Sequence, residues 1–191
     1  MWAELIRDSL TRPRAAARRV LDLGLPNEVL LMALVAVTSA GMVLAYAAAR
    51  LAGGGIDAMT MAVLQAPLMG AVFQLLVMGA IALGASRIGR IFGGRGADRD
   101  ALALVVWLNV IMLLAQLAQI AALVILPPLA FLLAVATLIW LLWAFSNFVA
   151  EMHGFASVGA VLAGVVISML VFFFALASLL ASLGFMPQGA G

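Results

Sequence analysis

Cysteine is missing from all 191 residues. Disulfides, thiolate metal sites and a cysteine nucleophile are therefore excluded. Lysine is missing too, and the ten basic residues are all arginine. With so much Ala, Gly, Val and Leu, that composition points to a GC-rich bacterial genome. A single histidine, His153, leaves no second imidazole for a paired metal site. Charge itself is scarce, at 9% of residues against 67% hydrophobic. A soluble fold of this size needs a charged shell, and this chain has too few charges to build one. The high sequence pI comes from having few ionisable groups, since the formal net charge is only +2. A nucleic-acid partner is not expected on that basis.

What the chain does have is long uncharged apolar runs, which define an all-α, polytopic membrane protein. Five transmembrane helices are expected, at about 29–51, 59–86, 100–126, 129–150 and 157–183. Together they make one domain, 29–183, between a leader at 1–28 and a disordered tail at 184–191. Pro67 is expected to kink the second span near its outer end. Pro127-Pro128 ends the third span, and so short a link makes the third and fourth an antiparallel hairpin. Small residues four apart, at Ala62, Ala66 and Gly70 and again at Gly159-Ala163 and Ala160-Gly164, suggest faces where helices approach closely.

The leader is the one stretch of soluble character. Arg7, Arg12, Arg14, Arg18 and Arg19 stand there against Glu4, Asp8 and Asp22. Pro13 suits a helix start, so one or two short amphipathic helices are expected on the cytoplasmic headgroups. Arg14, Arg18 and Arg19, with Arg95 further on, would face lipid phosphate. A partner-binding leader is the sharper alternative. Ala45-Tyr46-Ala47 resembles a signal-peptidase site, but the charged leader is long and the apolar run spans a full bilayer, which favours an uncleaved anchor.

Orientation follows from the arginines. A cytoplasmic N-terminus puts the five leader arginines on the same side as Arg87, Arg90, Arg95 and Arg99, leaving only Arg50 outside, near Asp57. Five spans then put the C-terminus outside.

Two constellations merit a chemical reading. Asn109, Met112, Gln116 and Gln119 fall on one narrow stripe of the third span, at about 100° per residue. The stripe would line a hydrophilic path, or, in the favoured reading, form a seam of interhelical hydrogen bonds with Gln65, Gln74 or backbone carbonyls. No acidic or basic side chain sits mid-span, which counts against an ion-coupled pump. Glu151 and His153, two apart where the fourth span meets the cytoplasm, carry acid–base or metal-ligand potential. The favoured reading is a charge cluster in which Glu151 pairs with Arg87 or Arg90 of the middle loop. Asp98 and Asp100 read as helix capping, and Trp107, Trp140 and Trp143 as packing or anchoring. Gly93-Gly94-Arg95-Gly96 lacks the Lys-Ser/Thr of a phosphate-binding loop and reads as a turn near lipid phosphates. No catalytic residue, metal site or cofactor is expected.

Three blocks together resemble the Yip (Ypt-interacting protein) family in its short bacterial form. They are Pro13-Arg14-Ala15-Ala16-Ala17-Arg18-Arg19-Val20-Leu21; Phe92-Gly93-Gly94-Arg95-Gly96 through Asp100-Ala101-Leu102 to Trp107; and Asn147 through Glu151-Met152-His153-Gly154-Phe155. The resemblance implies five spans with a cytoplasmic N-terminus, and in eukaryotes an association with vesicle trafficking, Rab-type GTPases and membrane shaping. It supplies no catalytic residues. The longer cytoplasmic N-terminal region of the eukaryotic members is not present here, which counts against GTPase binding. The expectation is a non-enzymatic protein of the bacterial inner membrane that organises membrane or partner proteins, itself included. The alternative is a small transporter, channel or lipid translocator using the polar stripe.

Overall fold

The computed structural model describes residues 2–52 and 66–182, and every described element is a helix. Two short helices, α1 (Trp2–Thr11) and α2 (Pro13–Asp22), precede five long ones. These are α3 (Asn27–Leu51), α4 (Pro67–Ile91), α5 (Asp98–Ile125), α6 (Pro127–His153) and α7 (Val158–Ser182). Among the described residues, α3 to α6 are long and apolar enough to cross a membrane, and Val158–Phe172 of α7 is a shorter apolar stretch. The 28 residues of α5 are about 42 Å long, more than the ~30 Å hydrocarbon core requires.

Helix boundaries follow local chemistry. Pro13, Pro67 and Pro127 each stand at the start of their helix, where the missing N–H is no loss. Pro67 stands at the first position of α4 as described; residues 59–65, placed in the same span with a kink expected at Pro67, lie outside the described residues, as does the 184–191 tail. At its other end α4 runs past Ser86 to Ile91. Arg87 and Arg90 therefore belong to its last turns and Arg99 to the first turn of α5, leaving Arg95 alone in the connecting loop. Likewise α6 extends beyond residue 150 to take in Glu151 and His153, and stops at Gly154, whose φ of 75° suits glycine.

The bundle is organised around α5, which touches α2, α3, α4 and α6, whereas α7 lies against α6. In α5, 39% of the most apolar window is buried, against 11–17% for α3, α4 and α6, so α5 is the central helix. The core is gathered at one end. Ala101 to Ile111 of α5, Ala144 to Met152 of α6 and Ala82 of α4 meet Leu5, Ala16, Ala17 and Val20 of the leader there. Ala16 and Ala17 are wholly buried, so the leader's apolar face is spent on protein and not on lipid headgroups alone. Toward the other end, Leu117, Val124, Phe131 and Ile139 are exposed, as lipid-facing side chains are.

Candidate functional site: a clasp at the arginine-rich end

Polar side chains converge where α6 ends, in two separate groups. The first surrounds Glu151. Arg14 Nε donates to its carboxylate at 3.2 Å, and Arg18 donates through Nη2 at 2.6 Å and Nε at 2.8 Å. Arg14 Nη2 also donates to the carbonyl of Phe155 at 2.7 Å. The carboxylate raises the Arg18 guanidinium further above its already high ordinary range, chiefly through that hydrogen bond. Glu151 thus binds the leader and not Arg87 or Arg90. The physical reason is local: Arg90 donates to Asp98 at 2.9 Å and Arg87 lies 3.9 Å from it, with Ser86 Oγ donating to the same carboxylate at 2.6 Å. Within the α4–α5 turn Asp98 holds Arg90 and lies near Arg87.

The second group is built on His153, which is 3% exposed. Gly96 N–H donates to Nδ1 at 3.0 Å, so that nitrogen carries no proton. The proton is then on Nε2, which donates to the Ala85 carbonyl at 3.0 Å. One neutral ring thereby joins α6, α4 and the loop between α4 and α5. Glycine makes the approach possible. A Cβ on Gly89 would lie 2.1 Å from the ring, on Gly94 2.2 Å, and on Gly96 2.6 Å from Met152. Phe155 stacks on the open side, with 5.3 Å between centroids.

The leader is pinned a third time. Trp107 Nε1 donates to Ser9 Oγ at 2.8 Å, and Ser9 Oγ donates in turn to the Leu5 carbonyl at 2.8 Å. Trp2 stacks on Trp107 at 6.2 Å. Within the leader Arg19 pairs with Asp8 at 2.7 Å. Of the four arginines assigned to lipid phosphate, Arg14, Arg18 and Arg19 have carboxylate partners, and Arg95 is exposed in the loop.

The amides of the α5 stripe each reach a different helix. Asn109 Nδ2 donates to Met78 Sδ of α4 at 3.2 Å and to its own helix at Val105. Gln116 Nε2 donates to the Gly41 carbonyl of α3 at 3.4 Å, and Gln119 Nε2 to Thr137 Oγ1 of α6 at 3.1 Å. Gln74 is half-buried on α4 and receives none of these bonds, and Gln65 lies outside the described residues. At the start of α5, Asp100 reaches back to the Ala97 N–H at 3.2 Å, a capping contact.

Chemically, Glu151 and His153 face different partners. Among the described residues no group of three or more His, Asp or Glu gathers as a metal site. Sequence reasoning singled out both residues but missed Ser9, Ala85, Gly89 and Thr137. The glycine run 93–96 was visible as a turn; Gly94 and Gly96 also give the His153 ring its close approach, and Gly93, at φ 84°, serves the turn itself.

Helices of this length and apolarity, banded by arginine at one end, define a multi-pass all-α membrane protein. Within that class a family model, the Yip1 domain, matches residues 7–179, from the first leader helix into α7. The chain belongs to the Yip1 family. No curated protein and no solved structure gives a significant match.

Proposed function

We propose that this is a five-span, non-enzymatic protein of a bacterial inner membrane that organises the bilayer or neighbouring membrane proteins, a membrane-homeostasis role of the Yip type. The N-terminus, the clasp and the α4–α5 turn lie in the cytoplasm, and the C-terminus lies outside. The carrying observation is that polar groups which a pathway or catalytic centre would need are engaged in holding helices together. Asn109, Gln116 and Gln119 bond to three helices, and Glu151 and His153 tie the leader and the α4–α5 turn to α6. The expected partners are lipid and other membrane proteins, a second copy included, and not nucleic acid; GTPase binding is not expected.

Two measurements test this reading. Because cysteine is absent from the chain, single cysteines at Arg95 and Ala190 report topology directly. An impermeant maleimide should label the first only from the cytoplasmic side and the second only from outside. Purified protein in liposomes should catalyse neither solute flux nor lipid flip. Flux or flip abolished by Gln116→Leu would replace this reading with a transporter.

A further inference from the structure

Helices α3 and α4 both lean on α5 and meet each other less closely, leaving a groove of about 580 Å³ between them. Sites that bury organic ligands run from about 300 to 1,000 Å³. Its walls are apolar, with Leu31 and Val35 on one side, Val72, Leu76 and Leu83 on the other, and Leu102 at the back. Leu31, Val35 and Leu76 are half-exposed or more, so the groove opens sideways along the bundle. Its polar lining residues, Asn27, Asp98 and Arg99, form a mouth at the arginine-rich end.

The charges at this mouth are not balanced. Asp98 is taken by Arg90 and Ser86, with Arg87 close by. Asp100 is turned back onto the Ala97 N–H. Arg99 makes no ion pair among the described residues; its Nε donates to the Leu25 carbonyl at 2.8 Å, which holds the guanidinium in place and leaves both terminal nitrogens for an anion. Water does not fill a recess with such walls at membrane depth, because a buried water needs two or more polar partners. An acyl chain does. An apolar trough ending in a fixed, unpaired guanidinium has the order of groups found along a phospholipid.

We infer that the α3–α4 groove holds one phospholipid with an anionic headgroup, its phosphate on Arg99 and an acyl chain along Leu31, Val72 and Leu76. This rests on the reading of the chain as a membrane protein with that end at a headgroup layer. The test runs in detergent, where threading plays no part, so a wrong orientation shows in the cysteine labelling above and not here.

The probes are phosphatidylglycerol and phosphatidylcholine carrying the same photoactivatable acyl chain, cross-linked to the purified full-length protein and mapped by peptide. Labels should fall on α3 and α4 groove residues, with phosphatidylglycerol favoured about five-fold, the effect of one arginine at an anionic surface. Arg99→Gln should abolish that preference while groove labelling persists. Gly79 lines the groove, and an added Cβ there would meet nothing within 4 Å. Gly79→Cys, alkylated with a bulky maleimide after folding, should therefore block groove labelling in a protein already shown to be folded. Equal labelling by both lipids, or labelling that survives the blocked groove, would mean only annular lipid and overturn the inference. So would a disulfide-linked dimer of Gly79→Cys, which would give the groove to a second copy.

Discussion

The His153 ring offers one acceptor and one donor, and each has a backbone partner, in Gly96 and Ala85. His153→Ala leaves the Gly96 N–H buried without an acceptor, which costs about 1–3 kcal/mol. The thermal midpoint in detergent should fall accordingly. Gly89→Ala meets the same ring from the other side, with its Cβ 2.1 Å from Nε2. Overpacking of that kind costs roughly 1–3 kcal/mol. If the ring is the obstacle, Gly89→Ala should be nearly harmless once His153 is alanine. Strict additivity of the two, to within about 0.5 kcal/mol, would refute the cage. The lone histidine could be noticed in the sequence, but its role could not, because its partners are backbone atoms and the absence of side chains on three glycines.

At the scale of elements, the leader is held by three unlike contacts: buried alanines, an indole-to-serine hydrogen bond and the Glu151 ion pairs. Arg14 and Arg18 are 38% and 71% exposed, so solvent screens the pairs and Glu151→Gln should lower stability by only about 1 kcal/mol. The sharper readout is local. Trypsin should cut at Arg14 and Arg18 several-fold faster in Glu151→Gln, while sites in the α4–α5 turn stay unchanged. Ser9→Ala strands the buried Trp107 N–H and should cost about 1–3 kcal/mol, loosening α1. The amphipathic leader and its Pro13 break were legible from spacing and proline position. Its partner was not. Glu151 stands 137 residues from Arg14 and 133 from Arg18, and ten arginines offered it many alternatives. The closer choice, Arg87 or Arg90, ignored Asp98, which lies eight residues from Arg90 and takes it.

Across the whole molecule, the packed core and the charge clasp share one end, and the amides of α5 carry polar contact toward the other. The four long apolar helices were legible because runs of twenty apolar residues have few alternatives. The stripe was legible as a stripe, from helical periodicity alone, but its partners were not, since Gly41 offers a carbonyl and Met78 a thioether. Asn109, Gln116 and Gln119 reach α4, α3 and α6 in turn, so each one fastens a different neighbour to α5. Asn109 and Gln116 lie seven residues apart, about 10 Å along the axis. At that distance, with no shared partner, their losses should add. Each amide-to-Leu change should cost about 0.6 kcal/mol and at most ~2. The Asn109→Leu/Gln116→Leu double variant should therefore melt earlier by the sum of the single shifts, with tryptic protection of the leader intact. A cost well above that sum would mean that the two amides share one hydrated network. Full stability with a lost cellular phenotype would give the stripe a task other than packing, and the transporter reading would then take precedence.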